Sequence, residues 1–156
     1  MNKVSDILSY ITEIAPLQWQ ENYDNSGLLI GDANAMVDKA LLTLDVTEKV
    51  IDEAIENSFH LIISHHPLIF KGIKNILTDN TTGRIITKAI KNDISIAAMH
   101  TNLDNSFVGV NRVLAEKLGL NQITYVEEIL DLTDGLLTAK RQRLAVSSWN
   151  FKWEVE

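Results

Sequence analysis

Apolar and polar positions along the chain fall into alternating rhythms that predict its elements. Between residues 4 and 15, Val4, Ile7, Leu8, Ile11, Ile14 and Ala15 recur three and four apart and Pro16 follows, which predicts an amphipathic helix stopped by proline. Residues 22–27 are turn chemistry, and residues 27–30 predict a short strand closed by Gly31 and Asp32, with Asp24 and Asn25 on the preceding loop where they can face a site. Residues 40–46 predict a strand interrupted by Thr43 and Asp45, after which Thr47 stands at the N-cap of a helix carrying Val50, Ile51, Ala54 and Ile55. Residues 59–64 are almost continuously apolar, as suits a strand covered on both faces in a parallel sheet. Thr81 or Thr82 caps a helix through Ile85, Ile86, Ala89 and Ile90, and residues 94–99 form the next strand. Residues 107–118 predict a further helix, with Gly119 where left-handed caps favour glycine.

Strands alternating with helices predict an α/β fold, a layered sandwich with a largely parallel sheet flanked by helices. Residues 123–130 read as another strand. Residues 131–156, where Lys140, Arg141 and Arg143 precede Trp149 and Trp153, have no clean period and read as a tail. No repeat, linker or low-complexity segment divides the chain, so a single domain over residues 1–156 is expected.

Composition narrows the chemistry. A chain of 156 residues can bury a core without a staple, so any metal is expected to serve function. The absence of cysteine excludes disulfides, thiolate ligands and cysteine nucleophiles. A net charge of -7 opposes a broad phosphate-backbone footprint, which leaves small molecules and other proteins as partners and excludes nucleic acid. Asp6 and Glu13 interrupt the N-terminal apolar positions and no 18-residue apolar run occurs, so a cytoplasmic protein without a membrane partner is expected.

Three of the four histidines stand where apolar runs stop. His65 and His66 end the run LIISHHPLIF of residues 61–70, and His100 ends AAMHTNLD of residues 97–104, which closes on Asp104. Ligands of open α/β sheets bind outside the carboxyl ends of strands, so the two motifs are expected to converge. Adjacent histidines in a regular strand point to opposite faces, but at a strand end before Pro67 the backbone can turn and let each reach a different ion. A two-metal site follows as the expectation, with His65 and His66 as ligands and Asp104 supplying a hard anionic oxygen. The set suits two divalent ions, with zinc, iron, manganese and cobalt undistinguished. His100 is a further ligand or a proton-transfer group. His60 has no companion and is assigned no role. As purely structural readings, Asp104 could be a turn former or helix cap, and residues 140–143 a solvated charge run.

The motifs NSGLLIGD (residues 25–32), LLTLDVT (41–47), LIISHHPLIF and AAMHTNLD, in that order, resemble the Nif-three-like family, whose members are also described as homologues of a type 2 GTP cyclohydrolase I. The resemblance spans residues 4–120. It implies an α/β protein holding two metal ions in a cleft, with His65 and His66 each on a metal, Asp104 a ligand and His100 lining the site, and commonly a homo-oligomer in the form of a toroidal hexamer. It also implies a later segment that adds a histidine and a glutamate four residues apart. This chain has no histidine after His100, so its ending is expected to be truncated or divergent.

Two functions compete. In the first, a metal-dependent hydrolase uses a metal-activated water against carbon or phosphorus while His100 acts as the catalytic proton shuttle. Its substrate is a small molecule, with a nucleotide suggested by the family description and not by any GxxxxGK[ST] loop, which the chain lacks. In the second, the chain is a non-catalytic metal-binding or protein-interaction module.

Overall fold

In the computed structural model, residues 1–133 and 136–148 are described, with side chains described up to residue 120. In chain order the elements are β1 (Asn2–Lys3), α1 (Val4–Ile14), a 3-10 turn (Leu17–Trp19), β2 (Gly27–Ile30), β3 (Met36–Val37), β4 (Leu41–Thr43), α2 (Glu48–Glu56), β5 (Leu61–Ser64), α3 (Thr81–Lys91), β6 (Ser95–Ala98), α4 (Thr101–Asp104), α5 (Val110–Lys117), β7 (Asn121–Thr133) and β8 (Leu136–Ser148).

The nearly unbroken apolar run in β5 makes sense once its neighbours are seen. β5 and β6 are the two inner strands of a four-stranded sheet in the order β2-β6-β5-β4, and every residue of both is buried. Ile62 and Ile96 face α2 and α3, where Ile51, Ala54, Ile85, Ile86 and Ala89 complete one core. Leu61 and Ile63 face the other way, against Val4 of α1, Val37 and Met99. Alternate side chains of one strand therefore feed two cores, so both faces are largely apolar. Burial of each such side chain contributes about 1.5–3 kcal/mol.

The sheet is mostly parallel, as expected: β4 runs parallel to β5 and β5 to β6. β2 is the exception and pairs antiparallel with β6, Gly27 opposite Ala98. Local chemistry sets the helix ends. The Thr47 hydroxyl accepts from the Val50 N–H at 3.3 Å, as its sequence position predicts. At α3 the cap lies one residue before the two threonines, where the Asn80 side chain accepts from Gly83 N–H at 2.8 Å and leaves Thr81 as the first helical residue. Gly119 follows α5 with φ +67°, the left-handed conformation expected of it.

The helix predicted over residues 107–118 starts only at Val110, with Gly109 at its N-cap, and the polar residues ahead of it are engaged elsewhere. Asn102 Nδ2 donates to Ala15 O, Ser106 Oγ to Ile14 O and Asn105 Nδ2 to Trp19 O, each at 2.7 Å. The first two satisfy carbonyls at the end of α1, which the helix itself leaves unpaired, the third the last carbonyl of the 3-10 turn, and together they tie down α4, which carries Asp104. The strand expected at residues 123–130 lies within β7. β7 pairs antiparallel with β8, which occupies much of the stretch read as a tail. Trp149 and Trp153 lie outside the described residues.

Candidate metal centre

The parallel strands all end on one edge of the sheet, and the candidate residues collect there. His65 and His66 continue the β5 ladder for two residues, their N–H groups donating to Thr43 O and Leu44 O. The Ser64 hydroxyl then donates to His66 O at 2.8 Å, turning the chain just past the strand. Both rings reach one cluster as a result, with centroids 4.9 Å apart. His100, just past β6, joins them at 5.3 Å from His65 and 5.6 Å from His66. One ring nitrogen from each of the three lies within 4.8 Å of the others.

Each imidazole is held by its Nδ1. That of His65 is 2.9 Å from Met99 O, that of His66 is 2.8 Å from Asp45 Oδ1, and that of His100 is 2.8 Å from Asp24 Oδ1. A carbonyl and two carboxylates can only accept, so each Nδ1 carries a proton, and in the neutral ring the lone pair is on Nε2. Such outer acceptors set the tautomer of metal-binding histidines and raise their basicity. The donor set therefore fits a divalent metal ion: neutral imidazoles oriented from behind, with a carboxylate alongside. That carboxylate is Asp104, whose Oδ1 lies 3.7 Å from His65 Nε2.

Asp24 is the most constrained group of the site, its side chain 0% exposed. Burial alone would raise its pKa. Against that, it accepts from the Thr101 hydroxyl, His100 Nδ1, Asn25 N–H at 2.7 Å and Thr101 N–H at 3.0 Å, and these bonds bring the pKa down to about 2. Asp24 is thus a fixed anion behind His100. His66 and its partner Asp45 form the open side, 47% and 57% exposed against 17% for His65.

The residues singled out in the sequence are thus placed as follows. His65, His66 and His100 come together, Asp104 stands beside His65, and His60 is exposed and outside the cluster. Asp24, expected only to face a site, anchors His100. Asp45, in the sequence only a break in an apolar run, anchors His66. Its signal was positional, since it lies just past the end of a parallel strand, as His65 and His100 do.

Fold and cluster together define an α/β protein whose strand ends present a histidine group able to hold a metal ion. The chain belongs to the Duf34/NIF3 (NGG1p interacting factor 3) family, whose pattern matches residues 2–153. Over 130 residues it is 45% identical to a GTP cyclohydrolase 1 type 2 homolog of Staphylococcus aureus (strain Mu50 / ATCC 700699), covering 83% of this chain and 35% of that protein. Among solved structures, it is 44% identical to a Bacillus cereus protein related to NIF3, with a TM-score of 0.79 and coverage of 83% of this chain and 36% of the other. It is 29% identical to reduced HcgD from Methanocaldococcus jannaschii, with a TM-score of 0.74 and coverage of 86% and 51%. The chain therefore spans about a third of the length of the curated relatives it matches. No helix of the described residues is long and apolar enough to cross a membrane.

Proposed function

We propose that the chain carries the divalent-metal centre of a hydrolase, with His65, His66 and Asp104 as ligands to two ions and His100 as the adjoining proton-transfer group. The observation that carries this reading is the clustering of three imidazoles, each anchored by Nδ1, with one ring nitrogen of each within 4.8 Å of the others. Imidazole–metal bonds of about 2.0–2.1 Å place nitrogens on one tetrahedral ion roughly 3.4 Å apart. A spread of up to 4.8 Å suits two neighbouring ions as well as one. A divalent ion bound there supplies a water acidified toward neutral pH and a Lewis acid for the substrate.

The chain's own residues do the rest. Asp104 brings a negative charge that offsets part of the cation's. Asp24, ionised at any working pH, keeps the proton of His100 on Nδ1 and so holds Nε2 as a base; it also stabilises the imidazolium formed when that base takes a proton. The name of the Staphylococcus aureus relative suggests opening of the GTP ring as the reaction class, and a small-molecule substrate hydrolysed at carbon or phosphorus fits the exposed side at His66.

One observation favours a second reading, metal holding without turnover. Among the described residues, three imidazoles and one carboxylate are four protein donors, enough for one tetrahedral ion and half of what two require.

Elemental analysis of the purified 156-residue chain, combined with a panel of hydrolase substrates, decides. The hydrolase reading expects about two divalent ions per chain and metal-dependent turnover, both lost in a His65→Ala, His66→Ala double variant. Metal uptake with no turnover selects the second reading, and an unchanged metal content in the double variant removes both. His100→Gln separates its two roles: metal retained with turnover lost means proton transfer, and metal lost means ligand.

A further inference from the structure

Between His66 and α3 the chain makes its longest excursion at this edge of the sheet, and the excursion borders an open hollow of about 330 Å³. Its walls include Leu68, Ile69, Phe70, Lys71, Lys74 and Ile86. The volume sits at the low end of the roughly 300–1,000 Å³ of small-molecule sites. Phe70 joins this cavity to the histidine cluster, since its ring meets that of His100 edge-on at 6.1 Å and also that of Tyr23 at 6.3 Å. The cavity thus begins one aromatic ring away from His100.

Two contacts hold the excursion in place. Asn25 Nδ2 donates to Ile69 O at 2.6 Å, tying it to the loop that carries Asp24. At the other end the backbone of Leu77 lies so close to α3 that a Cβ on Gly83 would fall 1.8 Å from Leu77 O. Charge is divided along the same line. The cluster side carries Asp24, Asp45 and Asp104, whereas the cavity is lined by two lysines and no carboxylate. Neither Lys71 nor Lys74 forms an ion pair among the described residues, although the chain is acidic overall. An apolar wall with a cationic rim, next to a site that already holds its own anions, is complementary to a ligand with one flat apolar part and one negative group.

We propose that this cavity binds the non-reacting part of the substrate, and that the substrate is a small organic anion: its planar portion lies against Phe70 and the Leu68–Ile86 wall, its negative group against Lys71 and Lys74. The proposal rests on the reading of the histidine cluster as the reacting centre and adds the substrate class to it. Phosphate and carboxylate share the recognising chemistry.

The test is calorimetric titration of the 156-residue chain, metal-free and zinc-loaded, with phenyl phosphate, benzoate and the neutral benzyl alcohol. Both anions are expected to bind, and the alcohol about tenfold more weakly or worse. A Lys71→Ala, Lys74→Ala double variant is expected to lose about tenfold in anion affinity, in the metal-free protein too, with metal content unchanged. The Lys71→Arg, Lys74→Arg variant retains binding. Tighter phenyl phosphate assigns a phosphate ester and tighter benzoate a carboxylate, both within the proposal. No binding of either anion, equal binding of the alcohol, or undiminished anion binding in the alanine variant overturns it. The two readings fail separately. Lysine-dependent anion binding without metal uptake removes the metal centre and keeps the pocket, whereas metal uptake without lysine dependence removes the pocket alone.

Discussion

Replacing Asp24 by Asn tests how far the candidate site depends on a buried anion. The two side chains have the same shape, but the carboxylate presents two acceptor oxygens and the amide only one. In the native arrangement Oδ1 accepts from His100 Nδ1 and Asn25 N–H, while Oδ2 accepts from both donors of Thr101. Either orientation of the amide points an NH2 at a backbone N–H that can only donate, that of Asn25 on one side or that of Thr101 on the other. The size of the loss follows from the depression of the carboxyl from its ordinary 3.8 to about 2, which at roughly 1.4 kcal/mol per unit amounts to about 2 kcal/mol of preferential stabilisation of the ionised form. Because the folded pKa lies below the unfolded one, this stability is fully present above about pH 4 and is lost as pH falls through about 2.

Urea unfolding followed by circular dichroism reads it out. With a slope of about 2 kcal/mol per molar, Asp24→Asn lowers the midpoint by about 1 M near neutral pH, and the gap to the native chain narrows as pH falls from about 5 toward 2. The same variant turns the imidazole of His100 over to the tautomer with its proton on Nε2, which ¹⁵N chemical shifts of the ring report directly. A midpoint shift under about 0.3 M, or a gap that stays constant from about pH 7 down to about pH 3, would refute the reasoning, because either result means that the ionised carboxylate is not the source of the stability.

Three further outcomes follow from the same geometry. Gly83→Ala drives a methyl into Leu77 O and should cost about 1–3 kcal/mol by chemical denaturation, as an overpacked contact does, while Gly72→Ala, whose Cβ meets nothing, should leave the midpoint within about 0.5 kcal/mol. Ile62→Ala empties a fully buried position between two helices and should lose about 2–5 kcal/mol. Glu48 is held below the usual carboxylate range chiefly by its hydrogen bond from Arg84, so Arg84→Met should raise its midpoint in an NMR titration, and a midpoint that stays put would show that the pair is not formed in solution.

The fold was legible because its signals are local or periodic. The double-sided burial of β5 and β6 shows as nearly unbroken apolar runs, Thr47 and Gly119 sit where cap chemistry puts them, and the recurring strand–helix order leaves few topologies open. What escaped depends on partners distant in sequence. Asn105 and Ser106 resemble helix formers of modest quality until α1 supplies the carbonyls they bond. β8 lacks a period, but the Asp134-Gly135 dipeptide between it and β7 is strong hairpin chemistry that a search for periodicity passes over. At the site, histidines announce themselves by residue type, whereas Asp45 is visible only once β4 is known to end beside β5.

The antiparallel direction of β2 also builds the site. In a wholly parallel sheet, the loop leading into β2 would sit at the opposite edge from the ends of β5 and β6, and Asp24 could not reach His100. Because β2 runs the other way, with Gly27 opposite Ala98, the residues just before it stand beside those just after β6. Ser26 Oγ accordingly lies 3.3 Å from His100 N, and Asp24 closes on both His100 and Thr101. Four strands thus contribute to one edge: β4 through Asp45, β5 through the histidine pair, β6 through Met99 and His100, and β2 through its approach rather than its exit. None of the three Nδ1 anchors comes from the histidine's own loop, so the site exists only when the sheet is complete. The geometry of the cluster and folding are therefore linked in this chain, and a substitution in either β2 or β4 can loosen the cluster without touching a histidine.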